Sequence, residues 1–169
     1  MNLFFAIVVY TLAMTGANLS VATFGPVSTP YNAFFLIGLD LAMRDWLHVR
    51  LKPVQMGGLI GATGVITYLL NPEAGWIAVA SAVAFTAAAL ADWAVFARLK
   101  GSWMKRANGS NIAGAAVDSL IFPTIAFGSL MPHIVLMQFL AKVAGGALWA
   151  WALARFAKPN VVETSRRPA

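Results

Sequence analysis

Asp40, Arg44, Asp92, Asp118 and Lys142 interrupt otherwise apolar runs in this 169-residue chain. An ionised carboxylate only accepts hydrogen bonds and an ammonium only donates them, so Asp118 and Lys142 suit each other or a polar ligand. Helical spacing sorts the residues around them. Asn111, Gly114, Ala115 and Asp118 share one face, with Phe122 a turn further; Gln138, Lys142, Gly145 and Trp149 share another. Two readings of Asp118 and Lys142 stay open at this level. One is a buried ion pair holding two helices together; the other is a ligand site, which intramembrane ionisable groups commonly mark. Asp40 and Arg44, at i and i+4, either neutralise each other or belong to a pathway. Asp45 and Asp92 read more as structural groups facing protein, water or a basic partner. Covalent chemistry is not indicated. The chain has no cysteine, and His48 and His133 stand at opposite ends of their helices. No Ser/His/Asp arrangement has suitable spacing, so neither catalysis nor a metal or other cofactor is expected.

The elements that must hold these groups are membrane spans. The composition is 60% hydrophobic and 11% charged, with a mean hydropathy of +0.74, and the apolar residues fall in long runs rather than stripes. A bilayer core needs roughly 20 apolar residues per helix. Six segments qualify, at about residues 2–20, 31–49, 54–71, 75–97, 109–129 and 131–156. The breaks are FGPVSTPYN, LKP, NPEAG, a basic loop after the fourth span and GSLMPH, the last implying a tight helical hairpin. At 1.5 Å rise per residue, Asp40, Asp118 and Lys142 fall about 15 Å from the outer helix ends, near the midplane. Arg44, Asp45, Asp92 and Asn111 form a lower layer, roughly 20–26 Å down. Asn18, Asn32 and Gln138 form an upper one, with His133 nearer the mouth.

Charge sets the direction. Arg44, Arg50 and Lys52 follow the second span; Arg98, Lys100, Lys105 and Arg106 follow the fourth; Arg155, Lys158, Arg166 and Arg167 follow the sixth. Residues 20–30, 71–75 and 129–132 contain no Lys or Arg, so both termini are expected in the cytoplasm. The related phrases DWLHVRLK and DWAVFARLK then mark two cytoplasmic helix ends. The expected organisation is one six-helix transmembrane domain, residues 1–157, and a short basic cytoplasmic tail, residues 158–169. The first apolar run reads as a retained helix rather than a signal peptide. The net charge of +6 is explained by cytoplasmic loops, with no nucleic-acid partner.

The segment LADWAVFARLKGSWMKRANGSNIAGAAVDSLIFPTIAFG, residues 90–128, resembles a family of small six-helix bacterial membrane proteins, the vitamin-uptake-like transporters. Characterised members of that family are queuosine precursor transporters. The matching features are the acid Asp92, the basic Trp103-containing loop, and Asn111 followed by Asp118-Ser119-Leu120-Ile121-Phe122. STPYNAFFLIGLDLAMRD, residues 28–45, is a second, weaker match.

The resemblance implies an all-α bundle similar to the vitamin-binding S-components of energy-coupling-factor transporters, in the bacterial inner membrane. It also implies uptake of a purine-like small molecule, a 7-deazaguanine with a 7-cyano or 7-aminomethyl group. Asp118 would accept from its amino edge, and Gln138, Asn18 and Asn111 would complement polar edges. Phe122 would stack on the ring, while Lys142 would donate to the carbonyl or balance Asp118. Asp40, Arg44 and Asp92 would line or lock the pathway. The alternative is an S-component served by a separate ATPase module, since the chain has no Walker motif. Ala13-x-x-x-Ala17 on the first helix would be the docking strip. The partners expected are the substrate, the lipid bilayer, and a homo-oligomer or such a module.

Overall fold

The computed structural model describes residues 2–48, 50–100 and 103–156; the side chains of residues 44–46, 48, 53, 93, 96, 103–108, 150 and 154–156 fall outside that description. The basic tail expected at 158–169 therefore lies outside the described residues, as do the side chains of Arg44, Asp45, Trp46 and Trp93. The described residues are helical throughout, with short turns and no strand.

Helix α1 runs Leu3–Phe24, started by Asn2, whose side chain accepts from the Phe5 amide at 3.2 Å. It stops at Gly25, where φ is +68°, with Pro26 next. A 3-10 turn, Gly25–Ser28, reverses the chain into α2 (Thr29–Asn32), a π turn (Ala33–Ile37) and α3 (Gly38–His48). Pro53 begins α4, Pro53–Leu70, and Gln55 reaches back to the Lys52 amide at 2.8 Å. Asn71 then caps a 3-10 turn, Pro72–Ala74, which leads into α5, Gly75–Arg98. The last two helices are α6, Trp103–Phe127, and α7, Pro132–Phe156.

Among the described residues four stretches are long and apolar enough to cross a membrane: Leu3–Met43, Pro72–Asp92, Gly109–Phe127 and Pro132–Leu153. A shorter apolar helix covers Val54–Leu70. The first stretch, 41 residues long, doubles back at Gly25–Ser28 so that α1 and α3 pack together. One boundary differs from the hydropathy reading. The loop after α5 is shorter than its basic residues suggest, because α6 starts at Trp103 rather than near residue 109. Hydropathy marks where apolar residues begin, whereas backbone hydrogen bonding continues through good helix formers such as Met, Lys, Arg and Ala.

Side-chain exposure is inverted relative to a protein in water. Phe4, Leu12, Leu69 and Leu90 are exposed, while Asp40, Gln138 and Lys142 are buried. On α7 the inward face is Ile134, Gln138, Lys142 and Gly145; Leu136, Met137, Leu140, Val143 and Leu148 point outward. Such an apolar exterior suits lipid. Thr86 and Thr124, which face that exterior, return their hydroxyls to carbonyls four residues earlier, and the buried Thr63 and Thr67 do likewise within α4, over three and four residues.

Between helices in lipid, close packing replaces the hydrophobic drive available in water. The tightest contact is the crossing of the α2–α3 segment with α7. A Cβ on Gly38 would lie 2.7 Å from the Gly145 carbonyl carbon, and one on Gly145 would overlap the Phe34 carbonyl. At the end where α1 begins and α3 finishes, Ala6, Tyr10, Met14, Met43, Leu47 and Met56 form a closed apolar plug.

Candidate functional site

Above that plug lies a cavity of about 460 Å³, counting the space that opens outward, walled by α1, α2, the π turn, α3, α5, α6 and α7. Met14, Ala17, Val21, Ile37, Phe85 and Phe122 supply apolar surface; Asn18, Thr29, Asn32, Asp40, Ser81, Asp118 and Gln138 supply the polar groups.

The π turn ends where Ile37 and Asp40 reach the wall, and Asn32 precedes it. Inserting one residue into a helical turn rotates everything after it by about 100° relative to an unbroken helix. Asn32 and Asp40 consequently share the cavity although eight residues separate them. On α6 the relevant device is Pro123, buried inside the helix. It removes the amide that would bond to the Ser119 carbonyl, one turn before. Beyond it, Trp76 Nε1 donates to the Ile125 carbonyl at 3.1 Å and ties the end of α6 to the start of α5.

Lys142 organises the polar wall from behind. Its ammonium is ion-paired with Asp118 Oδ2 and donates to Gln138 Oε1 at 3.0 Å and Ser119 Oγ at 3.2 Å. An ammonium cannot accept, so this contact fixes which end of the Gln138 amide faces it. Gln138 Nε2 is then a buried donor with no partner among the described residues. A donor left so in a buried position costs on the order of 1–3 kcal/mol until a ligand satisfies it. On the opposite wall, Ser81 Oγ donates to Asn18 Oδ1 at 2.6 Å. Asn32 Nδ2 donates to the Ala17 carbonyl at 3.4 Å and to Ser28 Oγ at 3.5 Å, directing its carbonyl oxygen elsewhere.

Of the residues singled out from sequence, Asp118, Gln138, Asn18, Phe122 and Asp40 stand together in the wall, with Lys142 against them. Asn111 does not join them: it is exposed and outside the wall, although it shares a helix face with Asp118. Spacing fixes the direction of a side chain, but not whether another helix covers that level. Asp92 also lies outside the cavity, half-buried beside Gly114, and its Oδ1 has no partner among the described residues. The Arg44 side chain lies outside the described residues. The supposed docking pair Ala13 and Ala17 faces inward, each only 4% exposed, and Ala17 belongs to the cavity wall. That pair therefore offers no strip to another subunit.

Ser81, Thr29 and Phe85 escaped the sequence reading, and Ser119 entered it only as part of the family motif. Ser119 had the best signal, as the residue after Asp118; a lone hydroxyl such as Ser81 in an apolar helix is a weaker one. Among the described residues no group of three or more His, Cys, Asp or Glu is placed to hold a metal. The arrangement can bind and orient a flat polar molecule between aromatic and amide surfaces.

The model of one protein family, described as "Putative vitamin uptake transporter", matches residues 1–155. No curated protein and no solved structure matches the chain significantly.

Proposed function

Because the chain belongs to this vitamin uptake transporter family, we propose that it imports a queuosine precursor, a 7-deazaguanine carrying a 7-cyano or 7-aminomethyl group, across the bacterial inner membrane. The observation that carries the reading is the opposed polarity of two neighbouring wall groups, the Asp118 carboxylate and Gln138 Nε2, which has no partner among the described residues. A guanine-type edge presents two N–H donors beside a carbonyl. Asp118 accepts from the donors and Gln138 donates to the carbonyl. Phe85 and Phe122 offer apolar surface to the ring.

In this reading the two arms of Leu3–Met43 count as separate passes, and with α4 to α7 they make six. The loop charges favour a cytoplasmic position for both termini. The apolar plug then closes the cytoplasmic end, and the cavity lies on the outer side of it, as substrate capture for import requires. Single cysteines can report this topology cleanly because the chain has none. A cysteine at Ser28 is expected to label from outside and one at Ser165 only from inside; the reverse pattern inverts the topology.

Purified protein in liposomes is expected to take up labelled 7-cyano-7-deazaguanine without ATP. Uptake that strictly requires an added ATPase module identifies an S-component instead. Absence of both binding and uptake rejects this substrate.

A further inference from the structure

Lys142 has three N–H bonds, and Asp118, Ser119 and Gln138 receive all of them. The lysine is 3% exposed and stands behind the wall rather than in it, whereas Asp118 and Gln138 belong to the wall. Among the described wall residues the ionisable side chains are both acids, Asp40 and Asp118.

We propose that Lys142 is a positioning residue which locks Asp118 and Gln138 as an acceptor beside a donor, so that the cavity takes uncharged rings with an N–H next to a carbonyl and rejects carboxylates. The proposal rests on the import reading for where the ligand sits, but not for which ring it is. A carboxylate in this cavity faces a cation whose charge is already matched and whose donors are already used. It meets no cation among the described wall residues and exchanges its water for the amide donors of Asn18 and Gln138, and a desolvated anion without a counter-charge is strongly disfavoured. Carboxylate-bearing vitamins are thereby excluded as substrates. Removing the Asp118 charge reverses the logic, since the Lys142 ammonium is then a free cation at the site.

The experiment is competition binding to the full-length protein in detergent with two matched pairs: 7-carboxamido- against 7-carboxy-7-deazaguanine, and nicotinamide against nicotinate. In the unaltered protein the amide of a pair is expected to bind roughly 100-fold better than the acid, because the acid is desolvated without a counter-charge. In Asp118→Asn that ratio is expected to shrink at least tenfold; in Lys142→Met the ratio persists, since no free cation appears, but amide binding itself is expected to weaken about tenfold because Asp118 and Gln138 are no longer held. Equal binding of amide and acid by the unaltered protein overturns the proposal, as does an unchanged ratio in folded Asp118→Asn.

If Asp118→Asn does not fold, Gln138→Glu carries the test. That variant replaces the donor with a third acid in the wall and is expected to lose amide binding, so unchanged amide affinity overturns the idea. Preference for nicotinamide over nicotinate without any deazaguanine binding supports the charge rule and rejects the precursor substrate. Deazaguanine uptake with no amide preference does the opposite. No binding by any of the four compounds overturns the proposal.

Discussion

Gly145 on α7 and Gly61 on α4 are the same residue in similarly apolar helices, but their surroundings differ. A Cβ on Gly145 would run into the Phe34 carbonyl, whereas nothing lies within 4 Å of one on Gly61. The same openness holds for Gly57, Gly58 and Gly64. Where α7 meets the π turn, glycine lets two backbones touch and sets the depth at which Gln138 and Lys142 reach the cavity. On α4 it leaves the helix face bare. Glycine content alone therefore says nothing about packing; the facing backbone decides.

Gly145→Ala should break the comparison most severely. The added methyl meets backbone, which cannot swing away as a flexible side-chain end can, so the cost should reach the upper end of overpacking, about 3 kcal/mol or more. Thermal unfolding in detergent measures it, and binding should be lost as Asp40 and Gln138 separate. A stable, binding-competent Gly145→Ala protein would show that the crossing is looser than described.

Asp118→Asn comes next and acts on the ligand more than on the fold. Replacing a carboxylate acceptor with an amide donor should weaken binding by about 30- to 1000-fold, or roughly 2–4 kcal/mol. Stability should fall less, although Lys142 loses its ion-pair partner. If Asp118→Asn and Lys142→Met each collapse the fold while the double variant recovers it, the pair is chiefly structural.

Gly114→Ala sharpens the comparison with an intermediate case. Its Cβ would stand 3.3 Å from the Ala88 carbonyl oxygen and 3.5 Å from Asp92 Cβ, so α5 and α6 must part slightly. A loss of about 1 kcal/mol is expected, with binding little changed because Gly114 is outside the cavity wall. The smallest effect is expected for Gly61→Ala, which meets no neighbour. Higher helix propensity should leave it neutral or more stable by up to about 1 kcal/mol. Marked destabilisation there would reveal a contact across the α4 face.

The membrane character, the helix breaks and the inward identity of α7 were legible in the sequence. Lipid tolerates few charges, and proline, glycine and asparagine terminate helices by local chemistry. Asp118 with Lys142, and Gln138 one turn from Lys142, were visible as well, because helical spacing and depth along a span are nearly one-dimensional quantities.

The contributions of Asn111, Asp92, Ser81 and the first-helix alanines were settled in three dimensions. Asn111 has the direction expected for the site and lies at a level where no helix covers it. Ala13 and Ala17 resemble an exposed small-residue strip in sequence, yet other helices bury them. The π turn also escaped the reading, since nothing in AFFLI announces an extra residue per turn, and that turn decides which face Asp40 presents. The sequence by itself determined a chain of apolar helices with a few costly polar groups at definite positions along them, because solvation and helix pitch act locally. Which of those groups meet was decided by rotation and close approach of whole helices, and these depend on backbone contacts between residues over a hundred positions apart, such as Phe34 and Gly145.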